Sequence, residues 1–217
     1  MLDRRSFLGA VSFAPTVFAK PSFRIGVTDW NLKLSSNPDA VALAADLGFQ
    51  GVEVSLGRKP VGDRLPLADP AVQDQYLADA RKRGIAIAGT CLDILHVNYL
   101  KFDKLGQKWV ADGIPITKRM NGRVMLLPFF GKGALSNSTE LDYIGDLLRE
   151  LGPEAEKAGV VLALENTVNA ADNIRMMERS RSPAVKIYYD CGNLARAGSI
   201  RCWNSKLWER TGSRKFT

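Results

Sequence analysis

Two carboxylates, each following a short apolar run, are the residues of this chain best placed to do chemistry. Glu165 follows the run 160–164 and Asp190 follows the run 185–189. Short apolar runs are typical of strands buried on both faces of a parallel sheet. The 24 residues between the carboxylates leave room for one helix and two loops. A right-handed crossover would therefore bring both to the C-terminal edge of the sheet, where they could hold a divalent metal through oxygen ligands.

The elements that must position this pair alternate between strand and helix. Strands are predicted at 23–29, 51–56, 85–91, 123–128, 160–165 and 185–190, and helices at 38–47, 70–83, 106–119, 138–158 and 170–179. Repeats of about 30 residues indicate β/α units of a single domain. The fold class we predict is α/β, of the (β/α)8 TIM-barrel type. With 217 residues and about six units, the barrel is expected to be incomplete, since a whole one takes ~250 residues.

Residues 1–19 are predicted to be a twin-arginine signal peptide. Arg4 and Arg5 precede the modestly apolar stretch 7–18, and Val17-Phe18-Ala19 fits a cleavage site before Lys20. This interpretation places the mature protein in the periplasm, exported already folded. The alternative is a short amphipathic helix at the N-terminus.

The segment 199–217 does not continue the pattern. It has neither strand alternation nor a helical stripe, and it carries a net charge of +4. We therefore predict a partial barrel at 20–198 and an atypical basic tail at 199–217, produced by a disrupted reading frame. The alternative is a natural basic extension.

Charge and cysteine content exclude some partners. Most of the net charge of +7 lies in the two ends, and the body 20–198 carries only +2. No basic stripe remains to follow a phosphate backbone, so we expect no nucleic-acid partner. No apolar run approaches the ~20 residues of a membrane-spanning helix.

The chain has three cysteines, an odd number. Cys91 and Cys191 are expected to be buried small residues, although a periplasmic disulfide between two of the three stays open; the third cysteine is Cys202.

Several motifs together resemble the xylose isomerase-like barrel superfamily. They are Ala-Leu-Glu-Asn around Glu165, Tyr-Tyr-Asp-Cys-Gly-Asn around Asp190, the segment 48–54 with Glu53, and the turn 129–133. More narrowly, they resemble sugar phosphate isomerases and epimerases, including hydroxypyruvate isomerase-like and ketose 3-epimerase-like members. The resemblance covers about residues 23–198.

The resemblance implies one divalent metal, Mn, Mg or Co, with a small sugar or hydroxy-carbonyl substrate. Glu165 and Asp190 match the first two of four family ligands. The other two, a histidine and a glutamate from strands seven and eight, have no counterpart here. The implied reaction is proton transfer through an enediolate, with Glu165 as both ligand and acid/base. Lacking two ligands, this chain is expected to bind metal poorly and to turn over little or no substrate.

Four further residues are predicted to contact substrate, and each has a plainer alternative. Glu53 could bind a substrate hydroxyl or form a salt bridge within the sheet. His96, the only histidine, could contact hydroxyls or be a satisfied loop residue. Trp30 could line a sugar face or pack in the core. Lys132 could meet a substrate anion or be solvated.

Two other functions stay open. A related apurinic-site endonuclease would need a histidine-rich zinc site and a basic groove, and one histidine argues against it. A non-catalytic role, as a carbohydrate-binding relic or a subunit completed by another chain, fits an incomplete barrel better. Open strand edges would then lead to homo-oligomers.

Overall fold

The computed structural model describes residues 23–190 and 192–193. These residues form one parallel sheet whose six strands follow each other in chain order, β1-β2-β3-β4-β5-β6. The strands are β1 Gly26–Thr28, β2 Gly51–Ser55, β3 Ala86–Cys91, β4 Val124–Pro128, β5 Val161–Glu165 and β6 Val185–Ile187. Sequential parallel order with a crossover helix after each of the first five strands is the arrangement of a β/α barrel wall. The predicted fold class is confirmed.

Five helices connect the strands: α1 Asp39–Asp46, α2 Pro70–Arg83, α3 Lys104–Arg119, α4 Ser138–Ala158 and α5 Ala170–Ser180. Asp69, Asp103, Asn137 and Asn169 cap the N-termini of α2 to α5, each accepting a hydrogen bond from a first-turn backbone N–H. Gly84 and Gly159 end α2 and α4 in the left-handed conformation that returns the chain to the sheet.

The core lies between the sheet and its helices. Side chains of a strand alternate between faces, so Val52 and Val54 point to the helices while Glu53 points to the opposite, inner face. Both valines are fully buried. Burial of such a side chain contributes roughly 1.5–3 kcal/mol to the free energy of unfolding. The helix-facing layer therefore stabilises the sheet, while polar Glu53 lies on the inner face.

The first and last strands are shorter than predicted. The prediction ran from 23 to 29 and from 185 to 190, whereas β1 is Gly26–Thr28 and β6 is Val185–Ile187. Each pairs on one side only among the described residues, so fewer ladder hydrogen bonds extend it. Phe23 and Ile25 are accordingly exposed.

Some predictions lie outside the described residues. They are the signal peptide 1–19, the tail 199–217, Cys191 and Cys202. Cys91 is buried, as expected. None of the helices in the described part is long and apolar enough to cross a membrane.

Candidate functional site

Glu165 is the last residue of β5 and lies half-buried at the C-terminal edge of the sheet. Its Oε1 accepts a hydrogen bond of 3.1 Å from Asn193 Nδ2. Burial, the negative charge of Asp190 and a hydrogen bond that a protonated Glu165 can share with Asp190 raise the pKa of Glu165 to about 7. A carboxylate at the end of a strand often caps the following helix, but here Asn169 caps the N-terminus of α5, so Glu165 does not act as a helix cap.

Asp190 follows β6 and reaches Glu165 from the neighbouring strand. Its Oδ1 accepts hydrogen bonds from the backbone N–H groups of Gly192 (2.6 Å) and Asn193 (3.2 Å). Asp190 thus holds the turn that delivers the Asn193 amide to Glu165. The structure brings together the two carboxylates that the sequence predicted to meet, with Asn193 as a third member of the group.

Glu53 lies on the inner face of β2 and is 7% exposed. Its Oε2 accepts a hydrogen bond of 3.3 Å from the Tyr188 hydroxyl, and its Oε1 has no partner among the described residues. Burial raises the pKa of Glu53 to about 7, with smaller contributions from the charges of Glu165 and Asp29. No salt bridge within the described sheet engages Glu53, which leaves it available to a hydroxyl.

A cavity of about 420 Å³ opens on the inner face beside Glu53. Small residues form part of its wall, and the polar groups on it belong to Thr28, Glu53, Tyr188 and Arg24. Thr28 Oγ1 is buried and unpartnered among the described residues, and Thr28 is the register partner of Glu53. Two orphaned polar atoms on adjacent strands suit water or a hydroxylated ligand.

The other predicted residues lie in the turns and loops at the C-terminal edge of the sheet. His96 ends the 3-10 turn Asp93–His96 and stacks on Phe130, with ring centroids 6.1 Å apart. Burial and the positive charge of Arg58 lower the pKa of His96, against the opposing charge of Asp93. Trp30 is half-buried in the turn after β1.

Lys132 lies in the 3-10 turn Gly131–Gly133 and is exposed. It forms no hydrogen bond or ion pair with any residue that the structure describes. These surroundings fit both alternatives, a solvated lysine and a lysine that binds a substrate anion.

Sequence reasoning missed Arg58, which follows β2. Its Nε donates a hydrogen bond of 3.0 Å to Asp93 Oδ2, while Asp93 Oδ1 accepts one of 3.1 Å from the Gly57 backbone N–H. Gly57 has a φ of +102°, and a Cβ there would lie 2.4 Å from Cγ of Pro66. Only glycine fits this turn, which sets the direction in which Arg58 leaves the strand. The Gly57-Arg58 pair carries no periodic signal that would have revealed it.

Asp29 was also missed, although it directly follows β1. It is fully buried, and its Oδ2 accepts hydrogen bonds from the backbone N–H groups of Ser36 and Ser55, each 2.9 Å long. Burial raises the pKa of Asp29 to about 6, and burial together with the charge of Asp29 raises the pKa of Tyr76 on α2. Asp29 therefore faces the helices and anchors the loop that carries Trp30.

The Glu165–Asp190 pair fits part of a divalent metal site. Burial and, after it, the negative charge of Asp190 raise the pKa of Glu165, and a cation between the two carboxylates would relieve their repulsion. Among residues 23–190 and 192–193, no group of three or more His, Cys, Asp or Glu side chains is arranged to hold a metal. The described residues thus supply two carboxylate ligands, Glu165 and Asp190, to such a cation.

Comparisons with known proteins agree with this geometry. The profile of the family described as xylose isomerase-like TIM barrel matches residues 41–214. A 2-epi-5-epi-valiolone 7-phosphate 2-epimerase from an Actinoplanes species is 26% identical over 183 residues, covering 83% of this chain and 66% of that enzyme. This chain therefore spans just under two thirds of that relative's length.

Solved structures show the same fold. A xylose isomerase-like TIM barrel protein from Mycobacterium smegmatis, in complex with magnesium, aligns with a TM-score of 0.67 at 14% identity, over 87% of this chain and 71% of that one. An L-ribulose 3-epimerase aligns with a TM-score of 0.60 at 19% identity, over 81% of this chain and 63% of that one.

Proposed function

This chain belongs to the xylose isomerase-like TIM barrel family, and we propose that it is a metal-dependent sugar isomerase or epimerase that acts by proton transfer through an enediolate. The substrate class is a small sugar or hydroxy-carbonyl compound. The epimerase activity of the similar Actinoplanes protein supports this assignment. The observation that carries it is the Glu165–Asp190 pair at the ends of β5 and β6, with the pKa of Glu165 raised to about 7.

In this proposal Glu165 moves the proton. A carboxylate with a pKa near neutrality is well matched to general acid/base catalysis, because both of its protonation states are populated at working pH. The Asn193 amide donates to Glu165 Oε1 and stabilises the ionised form that accepts the proton. A divalent cation such as Mn²⁺, Mg²⁺ or Co²⁺ at Glu165 and Asp190 would supply Lewis acidity toward the substrate carbonyl and hydroxyl oxygens.

The remaining residues bind and orient the substrate. Glu53 Oε1, buried and unpartnered among the described residues, accepts a hydrogen bond from a substrate hydroxyl. His96, half-buried against Phe130, offers a neutral imidazole at the rim, because burial and Arg58 lower its pKa. Trp30 presents an apolar surface to the sugar ring, and Lys132 meets the solvent-facing end of the substrate.

The experiment that tests this proposal is hydrogen exchange of the substrate. Full-length protein with Mg²⁺ is incubated in D₂O with D-fructose, D-psicose and L-ribulose, and ¹H NMR follows deuterium incorporation at the carbon beside the carbonyl. We expect slow exchange with at least one sugar, because the described residues supply only two metal ligands, and exchange slowed further by about 10²-fold or more in Glu165→Gln. Glu150→Gln, which removes an exposed carboxylate on α4, is the matched control and should exchange like the parent protein.

The outcome also separates the two classes of function. Exchange that survives Glu165→Gln, or absence of exchange with every sugar, would contradict the catalytic role. Sugar binding without exchange would instead favour the non-catalytic carbohydrate-binding role, for which the supporting observation is the two-donor metal site among the described residues.

Export and assembly are part of the proposal. Arg4, Arg5 and the Ala19-Lys20 junction support export by the twin-arginine route to the periplasm. β1 and β6, which pair on one side only in the described sheet, support self-association through a strand edge.

A further inference from the structure

We infer that Arg58, together with His96 and Lys132, forms a binding position for an oxyanion on the substrate, at the C-terminal edge of β2 to β4. The inference rests on the proposed function, which places the substrate at this edge. It adds that the substrate carries an anionic group, either a phosphate ester or a carboxylate.

Arg58 is held in place by one of its nitrogens only. Its Nε donates to Asp93 Oδ2, and the Asp93 side chain is 5% exposed while that of Arg58 is 52% exposed. Neither terminal nitrogen of the guanidinium donates a hydrogen bond to any residue in the described part of the chain. A buried carboxylate thus fixes the arginine and leaves its planar outer fork in solvent, the geometry with which arginine binds oxyanions through two parallel hydrogen bonds.

His96 lies close to the same fork. Asp93 and His96 are the first and last residues of one 3-10 turn, in which positions three apart lie above each other. The influence of Arg58 on the His96 pKa agrees with this proximity. The charged groups that act on His96 are Arg58 and Asp93, which compensate each other, so a neutral imidazole can donate to an anion without adding charge.

Lys132 supplies the uncompensated positive charge. It follows Phe130, the residue on which His96 stacks, by two positions, and it has no acidic partner among the described residues. The group Arg58, Asp93, His96 and Lys132 therefore carries a net positive charge with His96 neutral.

The position is continuous with the carboxylate pair. Phe129, next to Phe130, donates its backbone N–H to the carbonyl oxygen of Glu165 over 2.9 Å. The rim thus runs without interruption from Glu165 through Phe130 and His96 to Arg58. One substrate molecule could present its reacting carbon to Glu165 and an anionic end to Arg58.

The single histidine makes the test direct. In untagged full-length protein, the Cε1–H resonance of His96 is followed by NMR at fixed pH and ionic strength while inorganic phosphate, and separately acetate, replaces chloride. We expect a saturable shift with at least one of them. Tighter binding of phosphate indicates a phosphate ester as the source of the oxyanion, and tighter binding of acetate indicates a carboxylate. No saturable shift with either anion would overturn the inference.

Substitutions assign the effect to Arg58. Arg58→Gln should weaken binding by about tenfold or more, as expected for loss of charge-assisted hydrogen bonds. Arg64→Gln removes an exposed arginine of the same loop and should bind like the parent protein. If Arg58→Gln fails to fold, Arg58→Lys keeps a cation opposite Asp93 but loses the fork, and it should bind more weakly. Parental affinity in either Arg58 variant would overturn the inference. This measurement needs neither metal nor turnover. Anion binding can therefore be absent while sugar exchange occurs, and anion binding can occur while sugar exchange is absent.

Discussion

The Tyr188 hydroxyl donates a hydrogen bond of 3.3 Å to Glu53 Oε2, joining residues 135 positions apart in the chain. Tyr188 follows β6 and Glu53 lies in β2, and three strands separate β2 from β6 in the sheet. Such a contact requires the sheet to curl, so that its inner face closes on itself as in a barrel. The same contact is the only hydrogen bond that Glu53 forms with a side chain among the described residues, which leaves a buried carboxyl without a cation.

Replacing Glu53 should therefore change how stability depends on pH. Its pKa rises from 4.5 to about 7 on folding, so the folded chain binds more protons than the unfolded chain. The free energy of unfolding must then fall as pH rises from about 4.5 to about 7. We expect Glu53→Gln to be more stable than the parent protein at pH 8, by on the order of 2–3 kcal/mol, and about equal at pH 4.

Urea denaturation at several pH values, with a chelator present, measures this difference. Glu150→Gln on α4 is the control, because it removes an exposed carboxylate. If the parent protein and Glu53→Gln lose stability in parallel between pH 5 and pH 8, Glu53 is not the buried acid that the structure shows.

Asp29→Ala should destabilise the chain and loosen the loop that carries Trp30. The substitution leaves the backbone N–H groups of Ser36 and Ser55 without their acceptor, at a cost of about 2–4 kcal/mol. Because the pKa of Asp29 is raised from 3.8 to about 6 on folding, the stability of the folded parent protein is highest below about pH 3.8 and falls as pH rises from there to about 6. The loss caused by the substitution should thus be larger at pH 5 than at pH 8.

Denaturation of Asp29→Ala and Asp29→Asn at both pH values checks this. The asparagine variant keeps one acceptor oxygen and should cost less than the alanine variant. Equal stability of Asp29→Ala and the parent protein at pH 5 would show that the loop does not depend on this carboxyl.

Sequence reasoning identified Glu165 and Asp190 because a buried strand that ends in a carboxylate has a recognisable pattern. Asp29 has the same pattern, yet it faces the helices. The sequence could not predict this, because a strand that is apolar on both faces gives no sign of which alternate residues point inward. Thr28 is the register partner of Glu53 on the inner face, whereas Asp29, one residue on, lies beside Tyr76 of α2 on the other face.

The contacts of Arg58 and Tyr188 could not be predicted for a different reason. Arg58 is placed by a glycine turn in an irregular loop, and its partner Asp93 is 35 residues away. Tyr188 meets Glu53 only because the sheet curls, and curvature is a property of all the strands together. Local pattern fixes which residues end strands, whereas contacts across the inner face depend on the whole sheet.

Export should depend on the paired arginines. We expect the parent chain, expressed in a bacterium with a functional twin-arginine system, to appear in the periplasmic fraction shortened by about the first 19 residues. Replacing Arg4 and Arg5 together by lysine should retain the full-length chain in the cytoplasm. Immunoblotting of the two fractions and N-terminal sequencing measure this. Cleaved, periplasmic protein from the double-lysine variant would contradict the assignment.

The central claim is that Glu165 and Asp190 together hold one divalent cation, and Mn²⁺ binding tests it most directly. Electron paramagnetic resonance of free Mn²⁺ measures binding to full-length protein between pH 6 and pH 8. We expect a single weak site that strengthens as pH rises, since the cation competes with a proton on Glu165. Asp190→Asn and Glu165→Gln should each weaken it by about tenfold or more, while Glu150→Gln leaves it unchanged. Absence of saturable binding, or binding that neither substitution at the pair affects, would contradict the account.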